Sequence, residues 1–246
     1  MPDPTPKARP VLVADGWRKR AGNVYTRPVA PGVLGWLSLA TDRGLPHQWR
    51  LAPSIGVVHE RVEAVARALT GAVVVSPNLQ ATVSVPLLGL VEGEADSARR
   101  HWLIAAEALD GNERVFEDVA TTARAAGLPW VQARTSLQAV VSELRAGRGP
   151  WRRTPLLTAA LWLAGDAEAA ESWLSGVEAQ FDRPTPAPDL PAELKGHRVT
   201  RVGAVAPPEG WPRSSFEAFA ARLRRGLDEH PGGPPEGWQP PVADRA

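Results

Sequence analysis

The densest cluster of side chains suited to anion recognition lies between residues 145 and 153. It combines four arginines with one tryptophan: Arg145, Arg148, Trp151, Arg152 and Arg153. Guanidinium groups grip carboxylates or phosphates through paired hydrogen bonds, and a neighbouring indole can stack on a nucleobase. A solvated loop between two helices has the same composition. The cluster therefore predicts either a binding surface for an anionic ligand or an ordinary inter-helix loop.

A second candidate is the pair His59 and Glu63, which are one helical turn apart. Such a pair can act as an acid and a base or can hold a metal ion. The plainer interpretation is a histidine that begins a helix beside a surface glutamate. His-Glu-x-x-Glu also lacks the second histidine of the zinc protease motif. We therefore predict no catalytic residue and no metal ligand at this pair.

Other sequence signatures of catalysis are missing. The loop of residues 147–150 has neither the spacing nor the lysine of a phosphate-binding loop, and no serine occurs in a Gly-x-Ser-x-Gly elbow. The chain has no cysteine, which excludes disulfides, thiolate zinc sites and cysteine nucleophiles. We expect no cofactor and lean towards a protein that is not an enzyme.

Near the C-terminus a five-residue motif, Pro-Pro-Glu-Gly-Trp, occurs at 207–211 and again at 234–238. Each copy is an extended turn that presents one indole, Trp211 or Trp238. The repeat is either a coincidence in a proline-rich composition or a functional feature. In the second case the tail docks these tryptophans on the body of the protein or presents them to a partner.

Near the N-terminus, residues 16–27 have the pattern of a β-hairpin. Gly22 and Asn23 favour a two-residue turn because both residues reach positive φ at low cost. Alternation places Trp17 on one face of the first strand and Arg18 and Arg20 on the other. The basic surface is either a solvated edge that discourages pairing with other strands or a candidate binding site for an anionic partner. That surface consists of Arg18, Arg20 and Arg27.

The chain between and around these residues reads as an α+β fold. We predict an N-terminal antiparallel or mixed sheet with a packed helix, followed by a helical layer. Strands are predicted at 33–41, 49–58, 72–76, 81–91, 99–106 and 197–205, and helices at 10–15, 59–70, 113–126, 130–146, 155–164, 166–181 and 214–229, the last with Ser215 as N-cap. The predicted parts are a sheet-rich region at 8–110, a helical region at 111–182, a Pro-rich linker at 183–192, a strand and helix at 193–230 and a Pro-rich tail at 231–246.

Charge and hydropathy limit the partners and the compartment. With 28 basic and 27 acidic side chains the net charge is +1, so any electrostatic recognition must be local. The first residues do not have the pattern of a signal peptide, and no apolar run reaches the length of a membrane helix. We therefore expect a cytoplasmic protein that does not enter the membrane.

The opening hairpin resembles an uncharacterised bacterial domain family that begins with Gly-Phe-x-Lys/Arg and continues with aromatic-x-Arg. The matching segments are 16–20, with tryptophan in place of phenylalanine, 25–27, the triad 55–57 and the pair 129–130. Together they extend over about residues 8–180. The resemblance implies an α+β architecture without established catalytic residues. It also implies a protein-binding role, because some similar proteins are encoded near bacterial toxin and immunity genes.

Two functions follow from these observations. The first is a non-enzymatic interaction protein, an immunity or accessory protein of a bacterial conflict system, since Trp and Arg are favoured anchors of interfaces and the chain has ten tryptophans. The second is an enzyme or binder that acts on a nucleotide or nucleic acid through residues 145–153 and the hairpin arginines.

Overall fold

The structure is a computed structural model that describes residues 5–43, 48–71, 80–91, 102–105, 112–147, 150–181 and 212–239. Its strands are β1 (Arg18–Lys19), β2 (Val24–Ala30), β3 (Val33–Arg43), β4 (Gln48–His59), β5 (Val83–Pro86) and β6 (Trp102–Ala105). Its helices are α1 (Thr5–Ala14), α2 (Glu60–Thr70), α3 (Glu113–Thr122), α4 (Leu128–Gln132), α5 (Leu137–Ala146), α6 (Pro150–Leu163), α7 (Ala167–Phe181) and α8 (Arg213–Glu229). The predicted α+β class is confirmed. The predicted strands at 72–76 and 197–205 and the linker at 183–192 lie outside the described residues.

These elements form two compact units. The first comprises Met1–Ala64 and Val73–Leu144, and the second comprises Val65–Ala72 and Arg145–Ala246. The sheet, α1, α3 and α4 therefore belong to the first unit, whereas α6, α7 and α8 belong to the second. Within the described ranges, no helix has both the length and the apolar character needed to cross a membrane.

The sheet of the first unit is antiparallel throughout. Its order is β1-β2-β3-β4, and the far edge of β4 is shared by two short strands, β5 beside Ser54–Val57 and β6 beside Gln48–Leu51. The strand predicted at 33–41 corresponds to β3, which pairs with both β2 and β4 and is therefore central in the sheet. The predicted strand at 81–91 ends at Pro86, and a short 3₁₀ helix of Leu87–Leu90 follows.

The N-terminal hairpin is confirmed, with a turn one residue longer than predicted. Lys19 pairs with Tyr25, and Arg20 N–H donates to Val24 C=O at 2.9 Å, which leaves residues 21–23 as a three-residue loop. Gly22 supplies the positive φ, +52°, that this loop requires. Trp17 and Tyr25 are fully buried, as expected for the packing face.

One face of the sheet is covered by the helices that follow it. Gly35 of β3 approaches the side chain of Val131 in α4, and Gly127 lies against the side chains of Ile55 and Leu87. Trp102 of β6 donates its indole N–H to the Asp118 carboxylate of α3 at 2.7 Å. The core of the first unit therefore lies between this face and α3–α4.

The helix predicted at 113–126 does not stop at the Gly127-Leu128-Pro129 segment. Residues Ala123–Gly127 form a wide π turn that connects α3 to α4, and the chain remains helical to Gln132. Pro129 is tolerated because it occupies the first turn of α4, where a missing N–H costs little. The single helix predicted at 130–146 is accordingly divided into α4 and α5.

The second unit is built on the antiparallel pair α6 and α7. The predicted turn at Gly165 is confirmed by its φ of +78°, but α6 begins at Pro150 and not at Pro155. Residues 150–153 are therefore helical, which corrects the alternative of an inter-helix loop there; Arg148 lies outside the described residues. Phe216 of α8 packs against Phe181 of α7, with ring centroids 4.8 Å apart.

At the start of α8, Pro212 takes the N-cap position and its carbonyl accepts from the N–H groups of Ser215 and Phe216. The predicted cap, Ser215, lies inside the first turn of the helix. Farther along the same helix, Arg222 donates to the Leu69 carbonyl at 2.9 Å and so caps the C-terminus of α2.

Candidate functional site

Two of the three arginines of the predicted hairpin surface make hydrogen bonds within the protein. Arg20 donates its Nε–H to Thr26 Oγ1 at 2.8 Å, and Arg27 donates to the Asp15 carbonyl at 2.8 Å. Of these three arginines, Arg18 is exposed and has no polar partner among the described residues. The structure therefore leaves one hairpin arginine available to a ligand and uses the other two to hold the hairpin.

The tryptophan of the second Pro-Pro-Glu-Gly-Trp copy is docked on its own unit. Trp238 packs edge-on against Trp162 of α6, with ring centroids 4.8 Å apart. Trp162 is completely buried, and its indole N–H donates to the His230 carbonyl at 2.8 Å. Gly226 gives the Trp162 ring room, since a Cβ there would lie 2.4 Å from it. Trp238 is thus a packing residue; Trp211, in the first copy, lies outside the described residues.

The arginine cluster extends across the start of α6 at Pro150, so that its last three residues are in that helix. Trp151 and Arg152 belong to the first turn of α6, and only their backbone is described. The Arg153 guanidinium fills the place that a side chain on Gly147 would occupy, at the C-terminal end of α5. A cation there is favourable beside the negative end of the helix dipole. One member of the cluster, Arg145, has a different environment.

Arg145 lines an open groove of about 280 Å³ along α7 in the second unit. Most of the remaining lining comes from one face of α7, because residues three or four apart share a helix face. The groove is lined by Arg145, Leu161, Ala169, Ser172, Trp173, Gly176, Val177 and Gln180. This groove is the candidate functional site.

The groove has an apolar floor and polar margins. Leu161 and Val177 are nearly buried and supply the floor, whereas Ser172 and Gly176 are exposed. The half-buried Trp173 points its indole N–H at Thr154 Oγ1, 3.4 Å away. Gly176 has no atom within 4 Å of the place a Cβ would take, so the groove is open at its middle.

Trp173 and Val177 line the groove but are not among the site residues that the sequence predicts. The signal was present in the spacing of Ala169, Ser172 and Gly176, which are small residues at intervals of three and four on one helix. Small residues in such positions leave a depression beside any large neighbour. The spacing was not informative by itself, because the chain is rich in alanine throughout.

Thr82 makes hydrogen bonds with the backbone of His59 and with the side chain of Glu63. The His59 backbone N–H donates to Thr82 Oγ1 at 2.9 Å, and the Thr82 hydroxyl donates to Glu63 Oε1 at 2.8 Å. His59 Nδ1 is buried without a hydrogen-bond partner among the described residues. Burial lowers the pKa of His59, Arg61 lowers it further, and Glu60 acts in the opposite direction. The described residues include no group of three or more side chains placed to bind a metal ion.

Comparison with known proteins adds no further assignment. No protein family, no curated protein and no solved structure matches this chain. On the basis of its fold, the protein is an α+β protein. Its helical second unit carries an open groove in which Arg145 is the one charged residue among the described lining residues.

Proposed function

We propose that this chain is a non-catalytic protein-binding protein that receives its partner in the groove of α7. The observation that carries the proposal is the open groove that combines an exposed arginine with a half-buried tryptophan. Trp and Arg are the residue types most enriched at the energetic centres of protein interfaces.

The dimensions of the groove support a protein segment as the ligand. About 280 Å³ is just below the range of roughly 300–1,000 Å³ that is typical of pockets for drug-sized molecules. The α7 face from Ala169 to Gln180 extends over about 16 Å at 1.5 Å per residue, which is the length of about five residues of extended chain. A groove of this kind suits a side chain or two of a longer segment that continues beyond it.

The narrower form of the proposal is an immunity or accessory role in a bacterial conflict system. It is supported by the resemblance of the opening hairpin, 16–27, to domains encoded near toxin and immunity genes. The partner would then be a toxin or a component of a defence system.

Affinity purification of the tagged 246-residue chain from its source cells tests the proposal. Wild type is expected to recover one protein in stoichiometric amount, and Gly176→Leu is expected to lose it because leucine fills the open middle of the groove. Ser175→Leu is the matched control, because Ser175 is exposed on the same helix but does not line the groove. Equal recovery by both variants, or no stoichiometric protein under any growth condition, would contradict the proposal.

A second function, binding of a nucleotide or nucleic acid, is favoured by one observation. Arg145 and Trp173 line the same groove and could hold a phosphate and a base. That function requires measurable affinity for AMP or single-stranded DNA that weakens with salt and falls in the Arg145→Ala variant. Arg152→Ala with Arg153→Ala tests the remaining arginines of the cluster in the same assay.

A further inference from the structure

We infer that the groove of α7 recognises a segment of the partner protein that carries an apolar side chain beside the carboxylate of an aspartate or glutamate. This inference rests on the proposed protein-binding function and adds the chemistry of the bound segment. It follows from the apolar floor of the groove and from the positive charge of Arg145. It also follows from the backbone N–H groups of α7, which are already hydrogen-bonded within the helix.

The floor selects an apolar side chain. Leu161 and Val177 present aliphatic groups, and Trp173 adds one aromatic wall. Ala169 and Gly176 keep the opening wide enough for a side chain to reach them. Burial of apolar surface on such a floor is favourable, so an aliphatic or aromatic side chain is the favoured occupant.

The charge of the groove selects an anion. Arg145 is the one formally charged residue among the lining residues that the structure describes, and it is exposed without a carboxylate partner in that part of the chain. A partner that covers this guanidinium must replace its water by hydrogen-bond acceptors, and a carboxylate does this best. Complementarity of charge therefore favours an acidic residue next to the apolar one.

A second hollow, on the other side of α7, also contains an arginine, but that arginine is paired with carboxylates. It is lined by Glu171, Arg224 and Asp228, among others. Arg224 already pairs with Glu171 at 3.0 Å and with Glu178 at 2.8 Å. The positive charge of Arg224 is therefore balanced by two carboxylates of the same unit, and this hollow does not favour an anionic ligand as the groove does.

The carboxylate is expected to belong to a side chain and not to a chain terminus. Free C-termini are usually captured by several backbone N–H groups in a nest. The groove lies along the body of a helix, whose N–H groups are used within it, and at its start Asp166 already accepts from Ala169 and Ala170. A phosphate is disfavoured for the same reason, since the groove offers it one cation and no nest.

Titration with two capped dipeptides, Ac-Leu-Glu-NH2 and Ac-Leu-Gln-NH2, tests the inference on the full chain. The reporter is the indole N–H resonance of Trp173 in the nitrogen-15 NMR spectrum, assigned by its loss in Trp173→Phe. We expect the acidic peptide to bind about 2- to 5-fold more tightly, the advantage of one exposed ion pair. That preference should disappear in Arg145→Gln and persist in Arg213→Gln, whose arginine pairs with Glu217 away from the groove.

Each other outcome would overturn the inference. Equal binding of the two peptides removes the carboxylate from the proposal, and no shift with either peptide up to its solubility limit removes the apolar anchor as well. A larger shift of the Trp173 resonance with AMP than with the acidic peptide would identify the groove as a nucleotide site. If wild type recovers a partner protein that the Gly176→Leu variant loses, the protein-binding function stands in these cases. Only the proposed chemistry of the bound segment then fails.

Discussion

Gly56 of β4 pairs with β5 at a position that leaves no room for a side chain. A Cβ on this residue would lie 2.5 Å from the Val83 carbonyl oxygen and 2.7 Å from the Ala81 Cβ. The backbone atom cannot turn away as the end of a long side chain can. The strand pairing of Gly56 with Ser84 therefore depends on the absence of a side chain.

Gly56→Ala is expected to lower the free energy of unfolding of the first unit by about 1–3 kcal/mol, the usual cost of overpacking. Gly89→Ala is the control, since no atom lies within 4 Å of its would-be Cβ. Urea unfolding of both variants measures the difference. Equal stability of the two variants would show that β5 does not pair with β4 as described.

His59 links stability to pH. Because the pKa of His59 is lowered, chiefly by burial, the folded state disfavours its protonated form. The unfolded chain takes up the proton near its ordinary pKa of about 6.5. The free energy of unfolding should therefore decrease as the pH falls below that value, until the folded state also becomes protonated.

His59→Asn removes this titration and should flatten that part of the pH profile. Urea unfolding between about pH 7 and pH 5 spans the ordinary histidine pKa, and the two profiles are compared by their slopes. Identical slopes for wild type and His59→Asn would mean that the pKa of His59 is the same in the folded and the unfolded chain.

At the scale of elements, the sequence predicts most of the sheet and the helical hairpin but fewer of the helix boundaries. Alternation and the Gly22 turn indicate β1 to β4 because both signals are local. The α3–α4 continuity was missed because the fit of Gly127 against Ile55 is a tertiary contact that overrides the local stop signal. The start of α6 was missed because Pro155 looks like a helix start, although it lies inside the helix.

The docking of the tail is another property that sequence leaves open. Pro-Pro-Glu-Gly-Trp is the same in both copies, and only the structure shows that the second copy packs on Trp162. The relevant contacts join residues that are far apart in the chain, such as Trp162 with His230. No pattern within either segment could predict that pairing.

Trp238→Ala is expected to lower the free energy of unfolding of the second unit. The edge-to-face pair itself is worth about 0.5–1.5 kcal/mol beyond its burial. Glu236→Ala is the control because that side chain is exposed on the same segment. Near-ultraviolet circular dichroism during urea unfolding reports the change, and an unaltered midpoint for Trp238→Ala would show that the tail does not stabilise this unit.

At the scale of the whole molecule, electrostatics gives no general attraction for polyanions. The net charge of +1 makes recognition depend on local groups. Of the ten candidate residues, two arginines and one tryptophan hold the structure together in the described regions: Arg20, Arg27 and Trp238. Arg145 alone among the ten lines the described groove, and we therefore propose the face of α7 beside it as the protein-binding surface.

A single introduced cysteine tests this surface, because the sequence contains no other cysteine. Gly176→Cys, Ser175→Cys and Arg18→Cys, each labelled with a maleimide-benzophenone, place a photo-crosslinker in the groove, beside it on α7 and on the hairpin. Irradiation in extract of the source cells should join one protein to the Gly176 position and little or nothing to the other two. Crosslinking that is strongest at position 18, or equal at all three positions, would show that the α7 groove is not the binding surface.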